Sequence, residues 1–189
     1  MEIEKIKDIV FEHKKIIENF DEDFFKSITT AIDIFKKTLI NNSTIYLCGN
    51  GGSAADCQHL AAELVGRFKK NRPPYKAISL ATDNSVLTCI ANDFNFEDIF
   101  ARQIEALGQK NDLLVSISTS GESKNILNAI KKANKMGLNT LSIIGNKSCE
   151  ARNISNYLIK VPSSSTARIQ EVHILIIHII CEMLEDIEF

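Results

Sequence analysis

The chain has no surplus of basic residues. Lys and Arg total 22 against 24 Asp and Glu in 189 residues, a formal charge of −2, so it offers no positive field to nucleic acid or to an anionic membrane surface. It has no C-x-x-C pair either. Its five cysteines, Cys48, Cys57, Cys89, Cys149 and Cys181, are odd in number and scattered through apolar segments, the pattern of reduced thiols rather than of a disulfide frame. No stretch reaches the roughly 18 apolar residues of a membrane span, and the acidic start lacks the basic cluster and apolar core of a secretory leader. Low-complexity segments and short-period repeats are missing as well. Together these absences predict a cytoplasmic protein without nucleic-acid or membrane partners.

What remains is material for one core. The chain is 44% hydrophobic, enough for a single unit with a sheet of ordinary size. Residues 3 to 41 place Ile6, Ile9 and Val10, then Phe24, Phe25, Ile28, Ile32, Phe35 and Leu39 at helical spacing around Asp21-Glu22-Asp23, which predicts two N-terminal helices over 1–43. From 44 onward, apolar runs at 44–48, 76–80, 113–117, 139–144 and 157–161 alternate with helical stretches at 54–67, 84–91, 97–107 and 123–136. That alternation is the mark of βαβ units, with a parallel sheet covered on both faces. Gly137 is placed to end a helix, Pro73-Pro74 breaks the chain before the second strand, and Phe94, Phe96 and Phe100 read as core. A last helix from about Thr166 to Glu185 is apolar nearly all round, so part of it is expected in a subunit interface.

Chemistry concentrates after two strands. The run Ile45 to Cys48 stops at Gly49-Asn50-Gly51-Gly52, where backbone N–H groups can approach a ligand closely, and Ser53 reads as an N-cap with Asp56 as its capping-box acid. A helix start with free N–H groups favours an anion without any lysine. After Leu113 to Ile117 comes Ser118-Thr119-Ser120-Gly121-Glu122-Ser123, four hydroxyls around one glycine at another helix start. Single serines mostly cap turns, but this density beside a matching glycine turn favours anion binding. His59 and Glu63, four residues apart, share one helix face. His13 lies on a charged helix and reads as solvated, while His173 reads as structural.

Cys48-Gly49-Asn50-Gly51-Gly52-Ser53, Ala91-Asn92-Asp93, Ser118-Thr119-Ser120-Gly121 with Ser123, and Ala167-Arg168-Ile169-Gln170-Glu171-Val172-His173 resemble the sugar-isomerase (SIS) domain family, most closely its phosphoheptose isomerases. The resemblance runs in order from about 44 to 185. It implies a flavodoxin-like three-layer αβα sandwich with five parallel strands, occupying 44–189 behind the N-terminal helices. It further implies a homotetramer with active sites at subunit interfaces that converts D-sedoheptulose 7-phosphate to D-glycero-D-manno-heptose 7-phosphate, for lipopolysaccharide or capsule heptose. Ser53, Ser118, Thr119, Ser120 and Ser123 match phosphate-binding positions, and Asn50, Gly51, Gly52, Asn92 and Asp93 match positions at the sugar. One zinc ion per subunit is implied at His59, Glu63, Gln170 and His178, with Glu63 and Gln170 also reaching substrate. Relatives often carry Arg-Tyr where Arg67-Phe68 stands here, so a phenol is lost, outside the expected chemistry.

Ketose–aldose exchange moves one proton between C1 and C2 and another between their oxygens. Glu63 is the expected base at carbon and His178 the expected shuttle at oxygen. Gln170 and His178 are separated by about 12 Å of helix rise, too far for one straight helix to give both to one ion. Either the site is completed across a subunit boundary or regular helix begins after Gln170. The rival reading is a non-catalytic phosphosugar sensor of the same fold, or a protein that docks on the replication initiator. The presence of both Glu63 and His178 favours catalysis.

Overall fold

A computed structural model describes residues 1–187. Two helices come first, α1 (Glu2–Glu18) and α2 (Glu22–Ile40). Asp21 starts α2 by accepting a hydrogen bond from the Phe24 amide at 2.8 Å, the local competition that makes Asp a helix starter. Five strands follow, β1 (Ile45–Gly49), β2 (Ala77–Ser79), β3 (Leu113–Ser118), β4 (Asn139–Ile144) and β5 (Tyr157–Lys160). Between and after them lie α3 (Gly52–Val65), α4 (Asn84–Asp93), α5 (Ala101–Leu107), α6 (Lys124–Met136), α7 (Glu150–Ile154) and α8 (Thr166–Leu184).

All strand pairs are parallel, in the order β2-β1-β3-β4-β5, the doubly wound α/β arrangement anticipated from the alternating pattern. Side chains alternate across the sheet and divide the core. Leu47, Val115, Ile117 and Ile143 pack with α2, α3 and α8 on one face, while Tyr46, Cys48, Leu114 and Ile144 pack with α4, α5 and α6 on the other. Phe24, Ile28 and Phe35 of α2 share the core of α3 and α8, so the N-terminal segment is part of the same layer. Gly137 closes α6 in the left-handed region at φ 81°, as its place predicted.

Several expectations are corrected. The stretch 97–107 is a 3₁₀ turn at Phe96–Asp98 followed by α5, and α7 has too few residues to show a helical period. Phe100 is core, but Phe94 and Phe96 are 54% and 60% exposed, Phe94 lying under the Arg102 guanidinium. His13 is not solvated alone. Its Nδ1 lies 2.6 Å from Glu171, which also binds Arg168, and these contacts tie α1 to α8. Regular helix does not begin after Gln170: α8 starts four residues earlier, at Thr166.

His173 is fully buried in α8 without a hydrogen-bond partner on either ring nitrogen. Burial pushes its pKa down to about 4, offset only in part by the backbone of Ile144. A depressed imidazole means that the unfolded chain binds the extra proton first. Stability is therefore complete above the ordinary histidine pKa near 6.5 and is lost as pH falls from there toward 4, by about 3 kcal/mol. Asp56 works in the opposite sense. Burial raises its pKa to about 6 against the pull of His59, so the folded state gains as pH falls from 6 toward 4. Denaturant unfolding of Asp56→Asn should expose the histidine term as a steep loss between pH 6.5 and 4. Adding His173→Leu should remove that slope, and parallel curves for the two proteins would refute the assignment.

Candidate active site

β1 and β3 are neighbours whose crossover connections run to opposite sides, so a crevice opens between their C-terminal ends. Both ligand-type loops sit there. Gly51, at φ 57°, is the N-cap of α3, a left-handed conformation that suits glycine. This displaces Ser53 from the capping role read in the sequence. Ser53 is the second residue of α3, buried, and lines a cavity instead. Asp56 is likewise no capping-box acid, for its buried Oδ2 has no partner.

The cavity holds about 220 Å³ and brings together Asn50, Ser53, Ser118, Thr119, Ser120, Ser123 and Gln170, with Ile117, Ile126 and Thr166 completing the wall. No lysine or arginine lines it. The first turns of α3, α6 and α8 supply its positive character through unpaired N–H groups and aligned dipoles. Ser123 and Ser165 sit at the N-caps of α6 and α8 without spending their hydroxyls on capping. Ser118 holds the loop, its Oγ accepting from the Gly121 amide at 3.0 Å, and Ser120 Oγ accepts from Glu122. A hydroxyl that accepts still has its own hydrogen to donate, so the loop remains a set of neutral donors.

A second cluster lies two turns further along α8. His59 Nε2 is 3.2 Å from Glu63 Oε1 and 3.4 Å from His178 Nε2. Glu63 and His178, distant in sequence, thus meet on one imidazole. One ring N–H cannot serve both neighbours well. The separation of the two Nε2 atoms equals that of two ligands each about 2.0–2.1 Å from one tetrahedral ion, so the histidine pair fits two corners of a metal site. Among the described residues no group of three His, Cys, Asp or Glu side chains is arranged to hold an ion. Gln170 stands apart from this pair, with its amide against Gly52 in the cavity.

Residues 11–145 match the SIS domain. The chain is 48% identical over 180 residues to the phosphoheptose isomerase of Helicobacter pylori, covering 95% of this chain and 94% of that protein. It is 49% identical to that of a Nitratiruptor species over 184 residues, 97% of this chain and 98% of the relative. The chain belongs to the SIS domain family. The solved phosphoheptose isomerases of Neisseria gonorrhoeae and Francisella tularensis superpose with TM-scores of 0.93 and 0.95 at 35% and 31% identity, each over 99% of this chain and all of theirs.

Within this SIS fold the remaining expected site residues are dispersed. Asn92 and Asp93 are exposed at the end of α4, Asn92 donating to Asp93 at 2.8 Å, and do not line the cavity. Gly51 and Gly52 are exposed at its rim. Phe68 corrects the reading that its departure from tyrosine is remote from the chemistry. Its ring lies 5.4 Å from that of His178, which also makes a 5.1 Å edge contact with His59. Three participants had no distinct sequence signal. Thr166 is one more helix-start hydroxyl, Ile126 one more apolar helix position, and Asn125 an ordinary polar residue in a first turn. Only folding places them at the crevice.

Proposed function

We infer that the chain is an aldose–ketose isomerase. It converts D-sedoheptulose 7-phosphate to D-glycero-D-manno-heptose 7-phosphate in bacterial heptose biosynthesis, feeding lipopolysaccharide or capsule. The near-complete alignment with phosphoheptose isomerases supports the substrate, and the meeting of Glu63 and His178 on His59 carries the reaction. A hydroxyl cavity fed by helix N-termini suits the phosphate. Glu63 has one carboxylate oxygen on His59, leaving the other to take the C1 proton of the ketose and return it to C2. His178 passes the second proton between O1 and O2 as the enediol forms and collapses.

We further propose zinc as a resident ion: His59 and His178 fit two corners of its site, Glu63 would turn from His59 toward the ion to give a third, and Gln170 from a second copy of the chain would give a fourth. When bound, such an ion supplies Lewis-acid polarisation of the substrate carbonyl. We propose a homotetramer with active sites at subunit interfaces; Gln170 and His178 stand two turns apart on one α8, which supports a second chain completing each site. Ile3, Ile6, Ile9, Val10 and Phe11 on α1 are each at least half exposed, apolar surface of the kind that assembly covers. No helix among the described residues is long and apolar enough to cross a membrane, and we place the enzyme in the cytoplasm.

The deciding experiment is an NMR assay of the purified protein with ketose phosphates of five, six and seven carbons, repeated after chelation and after return of zinc. Turnover of sedoheptulose 7-phosphate above the shorter sugars is the expected result. Absence of turnover with every sugar, zinc present, would leave only a phosphosugar-binding role.

A further inference from the structure

Asn125 is the second residue of α6 and only 2% exposed. Asparagine is seldom buried so completely, and a buried amide must find partners. It finds them on the other loop. Asn50 Nδ2 donates to Asn125 Oδ1 at 2.9 Å, and Asn125 Nδ2 donates back to Asn50 Oδ1 at 2.8 Å. Asn125 Oδ1 also accepts from the Ile126 amide at 2.9 Å, which anchors the side chain to its own helix. A two-point amide pair fixes both position and plane, whereas a single hydrogen bond would leave a swivel.

We propose that Asn125 is a positioning residue for the isomerase reaction: it clamps the side chain of Asn50 at the cavity and locks the loop after β1 to the helix start after β3. The proposal rests on the isomerase reading above. Each amide carries two N–H groups and two acceptor lone pairs, and the pair consumes one of each on Asn50. Asn50 lines the cavity, so its remaining N–H is held in a set direction for a substrate oxygen. The same bridge sets the spacing between Gly51-Gly52-Ser53 and Ser118 to Ser123, the two walls that must close on one phosphate. Neither loop has another side-chain bond to the other among the described residues.

The test is a double-mutant cycle on the full-length enzyme with Asn50→Ala, Asn125→Ala and both together, reading kcat, KM and Tm with sedoheptulose 7-phosphate. Asn125→Ala should raise KM about tenfold, the effect of one well-made hydrogen bond. Asn50→Ala should do the same, and the double variant should be no worse than the worse single. Asn125→Asp keeps the volume and the acceptor but, when ionised, cannot donate back and sets a buried oxygen against Asn50 Oδ1, so it should reproduce the KM defect with a lowered Tm. This variant keeps the idea testable if the alanine form does not fold. Additive losses in the cycle, or an unchanged KM in a folded Asn125→Asp protein, would overturn the proposal. Failure of the unmodified enzyme to turn the sugar over sinks the isomerase reading instead.

Discussion

Glu63→Gln is expected to lower kcat about 10³-fold, within the range that one positioned base supplies, while leaving the fold and Tm nearly unchanged. Glutamine has the same shape and can still bond His59 through its amide, so the helix face keeps its contact at His59 Nε2. What it cannot do is take a proton from carbon. In D₂O the unmodified enzyme should wash deuterium into the carbon-bound position of the sugar, and Glu63→Gln should not. His178→Ala should also collapse turnover, but with a different signature. Carbon exchange in the ketose persists at a reduced rate while aldose formation is lost, because the enediol oxygens lack their proton carrier. Equal loss of exchange in both variants would put both groups on the same proton and overturn the division of labour. Full turnover in Glu63→Gln would remove the carboxylate from the chemistry altogether.

That division depends on a meeting of residues only partly legible before the fold was known. His59 and Glu63 at i and i+4 read directly as neighbours because helical spacing is local. The β1–loop–α3 and β3–loop–α6 units were equally plain, since short continuous apolar runs alternate with helical stretches and glycine or hydroxyl clusters mark the strand ends. Their adjacency across the crevice was implied by the parallel fold rather than by either loop. Ser53 misled for a physical reason. A serine followed three residues later by an acid looks the same whether it caps the helix or sits inside it, and the positive φ of Gly51 decides the matter. Phe94 and Phe96 misled because apolar side chains are common on surfaces too. Phe68 against His178, and Asn125 against Asn50, join positions far apart in the chain, and no local period encodes such pairs. Gln170 was read into the metal set through resemblance. In the fold its amide faces Gly52 in the cavity, two turns of α8 away from His178.

Gly52→Ala tests how close that approach must be. Gly52 opens α3, and a Cβ built on it would overlap the side-chain amide of Gln170. The obstructed atoms are the far end of a flexible side chain, so Gln170 can swing aside without disturbing backbone. Alanine is also a better helix former than glycine by up to about 1 kcal/mol. The variant should therefore be as stable as the unmodified protein, or slightly more so, yet catalytically poor. Displacing one positioned amide by an ångström or more costs roughly 10²-fold in kcat/KM where alignment matters. The loss should run through Gln170 alone: Gln170→Ala makes room for the methyl, so Gly52→Ala placed on that background should have almost no further effect. If Gly52→Ala keeps full activity, the amide of Gln170 has no catalytic need of its present position. If the double variant falls well below Gln170→Ala, the methyl acts on the loop and the N–H groups of α3 instead, and the phosphate cradle rather than Gln170 is what the glycine protects.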